Sequence, residues 1–514
     1  MMKRPPFYLL LPGFITLAAV GLPLLYLVLR ALEIDAETLA DVVFRPRNLE
    51  LLASTLKLTA SVLVLSLLLA FPLAWLTTRT DLPASRLASL IGVLPLAVPS
   101  YVTAYALLSL GGPYGLAAKV FGVALPHLSG YVGALLALSL YTYPYFYMNL
   151  RSAFLRLDPA LEEAARVLGH PPTSVFIRVV LPQLVPAVMA GGLIVALHVF
   201  GDFGVVSLMR YPTFSYAIYL QYSTAYDRVG AAWLALWLLA LTSVVLFLEA
   251  RATRLAVART QKRPPAKLRL GRLRPLAQGY VTGLFLFSIG LPLSVLLYWA
   301  RAGFARIDRG DLLEALARSA FASAPAAFFA LALALPLAYL GVRYARGAAR
   351  TLERAAYLGY AIPPLVLALA LIFFTLKAVP WLYQTIFLLI YAYTFHFLAE
   401  ALSPLRGTLS QIPVAIEEAA RALGTRTYAV FTRILLPLLW PGLASGGILV
   451  FLSAMKELPL TLLLAPIGYD TLAINVWSYT QEAMFAEAAP YALVLLASGA
   501  IFAGMLLAWE GSAK

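Results

Sequence analysis

The sequence predicts an all-α polytopic membrane protein of about 12 transmembrane helices, arranged as two tandem parallel six-helix repeats. Three observations lead there. Hydrophobic residues make up 62% of the 514 positions and charged residues 12%, too few polar groups to cover a water-soluble surface. Apolar runs of about 20 residues, the helical length that crosses a ~30 Å hydrocarbon core, recur along the whole chain. One long segment also occurs twice, at 162–192 and 417–447, 255 residues apart and without a gap.

The first six candidate spans lie near 8–30, 53–78, 87–111, 131–150, 183–208 and 230–249. The second six lie near 277–300, 316–342, 355–377, 383–402, 438–465 and 488–509. The repeated segment falls between the fourth and fifth span of each set. This divides the chain into a first module (1–250, with its loop at 151–182), a basic linker (251–275) and a second module (276–514, with its loop at 406–437).

Charge sets the expected orientation. With both termini in the cytoplasm, the cytoplasmic segments hold 26 of the 39 Lys and Arg residues, as the positive-inside rule requires. The formal net charge of +15 then needs no nucleic acid to explain it. Arg251 to Arg274 carries nine basic residues and no acid and reads as a cytoplasmic linker beside anionic headgroups. The opening Met1-Met2-Lys3-Arg4 imitates a signal peptide, but the apolar run after it is too long and lacks a small-residue cleavage site, so an uncleaved anchor is expected. The chain has no cysteine, which removes disulfides, thiolate metal sites and thiol catalysis.

The modules match outside the repeat too. Ala70-Phe71-Pro72-Leu73-Ala74-Trp75 of the second span answers Leu335-Pro336-Leu337-Ala338-Tyr339 of the eighth, and Pro99 answers Pro363 in the following spans. Proline inside a span is tolerated where neighbours satisfy the freed carbonyls, so these positions mark packed or kinked helices. Tyr141, Tyr143, Tyr145 and Tyr147 fill the fourth span, with Tyr141 and Tyr145 on one helical face. An interfacial aromatic belt or the lining of a pathway would each use them.

The repeated segment reads physically as a short helix, a glycine turn and an amphipathic helix. Glu162 to Leu168 favours helix, Gly169 stands where a left-handed C-cap is expected, and Pro171-Pro172 restarts the chain. Val175, Phe176, Val179 and Val180 form an apolar face, matched by Val430, Phe431, Ile434 and Leu435, before Pro182 or Pro437 opens the fifth span. A space-filling interfacial hairpin could use almost any amphipathic sequence. Near-identity of Glu-Glu-Ala-Ala-Arg-x-Leu-Gly in two places means that both loops meet similar surfaces.

This segment resembles the EAA loop of ABC importer permeases, through Glu163, Ala164, Ala165, Gly169, Leu181 and Pro182 in one copy and Glu418, Ala419, Ala420, Gly424, Leu436 and Pro437 in the other. The resemblance spans essentially the whole chain, as a fused double permease. It implies that each loop is a coupling helix seated on one of two copies of a cytoplasmic ABC ATPase subunit. Glu162, Glu163, Glu417 and Glu418 would face basic groups there, the Ala pairs would allow close approach, and Gly169 and Gly424 would make the turn. An extracytoplasmic substrate-binding protein is the second implied partner, and the cytoplasmic (inner) membrane the location. The chain has no G-x-x-x-x-G-K-[ST] phosphate loop, so it is read as a transport subunit and not an enzyme. It binds no cofactor of its own; ATP and Mg belong to the partner ATPase.

Gly201-Asp202-Phe203-Gly204-Val205-Val206-Ser207-Leu208 and Met455-Lys456-Glu457-Leu458-Pro459-Leu460-Thr461-Leu462 resemble the ferric iron group of these permeases. Thiamine, polyamine or another small solute is the alternative cargo, and an ion-gradient-driven secondary transporter the alternative class. Fe(III) is a hard cation that prefers carboxylate and phenolate oxygens. Asp202 and Glu457 occupy equivalent places late in the fifth spans and are the candidate cation ligands, with Tyr141, Tyr145 and Lys456 as further candidates for the pathway or its gate. A neutralising pair between Lys456 and either carboxylate is the competing structural reading. His198, His396 and Glu400 show no metal-ligand spacing, and histidines in spans are usually satisfied by interhelical hydrogen bonds.

Overall fold

The computed structural model describes residues 6–33, 41–255, 267–344 and 347–512; residues 256–266 of the expected basic linker lie outside them. The described chain is helical throughout. The first module runs α1 (Phe7–Ala31), α2 (Pro46–Arg79), α3 (Ser85–Ile91), α4 (Ser100–Leu110), α5 (Gly130–Arg156), α6 (Pro159–Val167), α7 (Leu181–Gly201), α8 (Gly204–Leu208), α9 (Phe214–Ser223) and α10 (Arg228–Leu255). The second repeats this plan as α11 (Arg274–Phe285), α12 (Leu291–Gly303), α13 (Arg309–Arg343), α14 (Ala348–Ala355), α15 (Pro364–Ala378), α16 (Ile386–His396), α17 (Leu398–Gln411), α18 (Val414–Ala422), α19 (Leu436–Met455), α20 (Pro459–Leu464), α21 (Leu472–Gln481) and α22 (Phe485–Ser512).

Among the described residues, seven helices are long and apolar enough to cross a membrane unaided, and two helix pairs, bent by 91° and 43°, are long and apolar enough when taken together. Two shorter apolar helices, Pro364–Ala378 and Phe485–Ile501, fall on the ninth and twelfth expected spans. The fourth expected span is α5, whose polar residues are sheltered by other helices rather than by lipid: Ser139, Thr142 and Tyr143 are buried, and Thr142 Oγ1 lies 3.0 Å from Ser66 Oγ of α2.

The sharp bend in the third span follows from Pro99. Its ring removes an N–H and forces Val98 into extended backbone (ψ 118°), which ends one helix and starts α4 in a new direction. Pro363 acts likewise on Ile362 (ψ 129°) before α15.

The modules exchange their first spans. In α1, the Ala19 carbonyl accepts from Tyr391 of the second module at 2.7 Å and Tyr26 meets Phe374 edge-on at 5.4 Å. In return, Tyr280 of α11 donates to the Leu69 carbonyl of α2, and Tyr143 of α5 reaches Ser288. The stretch entering α11 is also tied to the first module, because Leu268 N donates to Arg79 O at 2.7 Å and Asp81 N donates back to Leu268 O at 3.1 Å.

Candidate functional site

Each repeated loop is built as its residues dictate. Asp158 caps α6 by accepting from Ala160 N at 2.9 Å, and Pro159 takes the first helical position. The helix ends in a Schellman turn: Gly169 N donates to Arg166 O (2.9 Å), His170 N donates to Ala165 O (3.1 Å), and Gly169 sits at φ +85°. The second loop repeats it, with Gly424 N to Arg421 O (3.0 Å), Thr425 N to Ala420 O (3.1 Å) and Gly424 at φ +82°. Beyond the turn, Phe176–Val180 and Phe431–Leu435 form matching π-helical turns that run into α7 and α19.

The four glutamates divide into two classes, which corrects one expectation. Glu162 is buried, and both its oxygens accept from Arg79 Nη2 of α2, at 2.5 and 2.6 Å. Glu417 is buried in the same way, accepting from Arg343 Nε (2.8 Å), Tyr339 Oη (2.8 Å) and Arg421 Nη2 (3.0 Å). Neither faces outward, because each carboxylate neutralises an arginine at the end of a second-span helix. Glu163 and Glu418 are exposed, as are Ala164 and Ala419, while Ala165 and Ala420 face inward with the paired glutamates. A helix period of 3.6 places positions three apart on one side and their neighbours on the other.

The loop tips are apolar and open. Val167 and Leu168 are 87% and 78% exposed, Leu423 and Tyr428 86% and 78%. Cβ atoms built on Gly169 and Gly424 would meet nothing within 4 Å. The surface each loop offers is therefore an apolar tip beside one free carboxylate.

The second candidate site lies where the modules meet. Asp202 Oδ1 accepts from Val205 N (2.9 Å), capping α8, and Oδ2 accepts from Ser100 Oγ (2.6 Å). Glu457 caps α20 from the equivalent place, accepting from Leu460 N and Thr461 N, both at 3.0 Å. The expected pairing with Lys456 is not formed: Lys456 Nζ points to the Leu96 carbonyl of the first module at 3.3 Å. Backbone N–H groups at the two helix starts are fixed donors within reach, and they take the carboxylates. Among the described residues no group of three His, Cys, Asp or Glu side chains could hold a metal.

Tyr141 and Tyr145 gather on His198 of α7. Tyr145 Oη lies 2.7 Å from His198 Nε2, whose Nδ1 lies 2.9 Å from Ile194 O. A neutral ring donating from Nδ1 to the carbonyl and accepting at Nε2 from the phenol satisfies both contacts. Tyr141 packs beside both rings, 6.5 Å from Tyr145 and 6.4 Å from His198. From the second module, Tyr360, Glu400 and Lys456 come close enough to act electrostatically on this group, and Ser453 flanks Glu400. Glu400 Oε2 is buried without a hydrogen-bond partner among the described residues. His396 is satisfied separately, by the Gly359 carbonyl at 2.9 Å. Glu400 was visible in the sequence only as a lone acid; its place one repeat length after Tyr145 is the signal that puts it on the equivalent helix face.

Comparison with known proteins agrees with this duplicated plan. The family described as the binding-protein-dependent transport system inner membrane component matches twice, at residues 66–254 and 330–509. The Fe(3+)-transport system permease protein FbpB 2 of Haemophilus influenzae is 34% identical over 505 residues, covering 96% of this chain and 97% of that protein. Single-module relatives match as well. The molybdenum transport system permease protein ModB of Escherichia coli is 28% identical over 38% of this chain and 89% of its own length. The sulfate transport system permease protein CysT of Salmonella typhimurium is 29% identical over 36% of this chain and 67% of its own. With the family's component found in both halves, the chain belongs to the ABC importer permeases of binding-protein-dependent transport, as a multi-pass membrane protein with two such units fused in tandem.

Proposed function

We propose that this chain is the membrane subunit of an ATP-driven importer of ferric iron, with each repeated loop seated on one of two identical cytoplasmic ATPase subunits and an external binding protein delivering the cargo. The observation that carries the coupling role is the duplicated loop geometry. Two left-handed glycine turns, two buried Arg–Glu pairs and two apolar tips present one surface twice, which suits a pair of identical partners. Both termini would then lie in the cytoplasm. ATP closure of the partner pair would move the loops, and the Arg79–Glu162 and Arg343–Glu417 links would carry that movement to the second spans.

Iron as cargo is supported by the near full-length similarity to an Fe(3+) permease and by the oxygen donors Tyr141, Tyr145 and Glu400 at the module junction, which suit a hard cation. An oxyanion cargo is the second reading, favoured by the sulfate and molybdenum relatives of the single module. Proteoliposomes containing the chain, its ATPase and its binding protein decide between them. ATP-dependent entry of iron-55 that excess sulfate and molybdate leave unchanged is the expected result. Sulfate or molybdate entry without iron entry would replace iron as cargo, and uptake that needs no ATP would overturn the importer itself.

A further inference from the structure

We infer that the first module holds an oxyanion pocket, at the end of the bundle that bears the loops, which the second module has closed with a carboxylate of its own. The pocket is a cavity of about 540 Å³ between α3 and the last turns of α5, lined by Ser89, Leu90, Met148, Arg151, Ser152 and Arg156 among others. Among the described residues neither Arg151 nor Arg156 has a carboxylate within 4.0 Å, and both side chains are exposed into this space. Two guanidiniums unpaired among the described residues and the Ser152 hydroxyl make a donor set that matches the oxygens of a phosphate group, while Ser89 on the other wall gives its hydroxyl to the Ser85 carbonyl at 2.8 Å.

Pseudo-symmetry shows what the pocket lacks. Arg151 answers Arg406, one repeat length away, and counting back ten residues from Pro99 and from Pro363 reaches Ser89 and Glu353. In the second module Arg406 Nη1 donates to Glu353 Oε1 at 2.7 Å, and Glu353 is 3% exposed. The first module keeps the cation, replaces its carboxylate by serine and leaves a cavity. An anion supplied from outside restores the pairing. The apolar wall, with Leu90 55%, Met148 39% and Leu155 44% exposed, fits an anion that carries a hydrocarbon chain, so the phosphate can come from an anionic phospholipid or from solution.

Native mass spectrometry of the full-length protein, titrated with phosphatidylglycerol in one arm and inorganic phosphate in the other, tests this. One saturable molecule is expected on the wild type, and the arm in which it binds identifies the source. Ser89→Glu, which recreates the Glu353–Arg406 pair, should weaken that binding at least about tenfold, the scale of one charge-assisted contact. Ser89→Gln, similar in bulk but neutral, should change it by less than about threefold. Thermal unfolding of both variants should stay at or above the wild-type temperature, which shows that they fold. Absence of saturable binding in both arms overturns the pocket, and so does an equal loss in the Glu and Gln variants.

Discussion

Arg79 and Glu162 stand 83 residues apart and meet in a buried pair, Nη2 of the arginine lying 2.5 and 2.6 Å from the two carboxylate oxygens. Arg343 and Glu417 form the same link in the second module. Each joins the end of a long membrane helix to the short helix of a repeated loop, so the loop cannot tilt without pulling that helix. The fold thereby supplies a mechanical connection that a surface ion pair, worth about 0–1 kcal/mol, could not.

Breaking the link should matter more in the first module. Among the described residues, Arg79→Ala leaves Glu162 with only Arg166, at 3.7 Å, whereas Arg343→Ala leaves Glu417 with Tyr339 and Arg421. Loss of one partner of a buried pair costs about 3–5 kcal/mol, so Arg79→Ala should lower the thermal unfolding temperature and ATPase recovery more than Arg343→Ala. Glu163→Gln, on the exposed face, should leave the unfolding temperature within a degree or so of wild type, since surface changes cost under about 0.5 kcal/mol. Equal losses at Arg79 and Arg343 would refute the asymmetry.

The glycine turns give a test free of steric crowding. A side chain at Gly169 or Gly424 meets open space, and only the positive φ resists it, by roughly 1–2 kcal/mol. Gly169→Val and Gly424→Val should therefore insert and fold but uncouple ATP hydrolysis from uptake. Asn, which tolerates the left-handed region, should retain most coupling. Normal uptake per ATP in both Val variants would remove the turn from the coupling path.

The loops were legible because their signals are local. A helix-forming run, a glycine at the C-cap and a proline at the next helix start need only neighbouring residues, and the φ values of +85° and +82° follow from them. The pairing of Glu162 was not legible, since its partner is remote in sequence. Yet extending the Pro72/Pro336 match by seven residues reaches Arg79 and Arg343, so duplication held the clue. Lys456 misled for the opposite reason. Adjacency to Glu457 suggested an ion pair, while the pattern Glu457-Leu458-Pro459 marks a helix start whose free N–H groups claim the carboxylate.

The loop tips should govern recovery of the ATPase. Val167, Leu168, Leu423 and Tyr428 expose more apolar surface than an unpartnered loop needs, and burying one such side chain contributes about 1.5–3 kcal/mol. Leu168→Glu together with Leu423→Glu should abolish co-purification of the ATPase while leaving the unfolding temperature of the chain unchanged. Undiminished co-purification would place the contact elsewhere.

Asp202 and Glu457 cap short helices at the module junction. Asn at Asp202 can still accept from Val205 N, whereas Ala cannot, and loss of an N-cap costs about 0.5–2 kcal/mol. If capping is the whole role, Asp202→Asn should transport nearly as well as wild type and Asp202→Ala should lose both stability and transport. If the charge itself meets the cargo, Asn should lose transport as completely as Ala while keeping wild-type stability. The geometry favours the first outcome, because both carboxylate oxygens of Asp202 already accept hydrogen bonds from Val205 and Ser100. Glu457→Gln should behave differently, since its amide nitrogen would oppose one of the two backbone N–H groups that the carboxylate now satisfies. Parallel unfolding and uptake measurements on the three variants separate these roles: a stable Asp202→Asn without transport would move Asp202 from cap to cargo ligand.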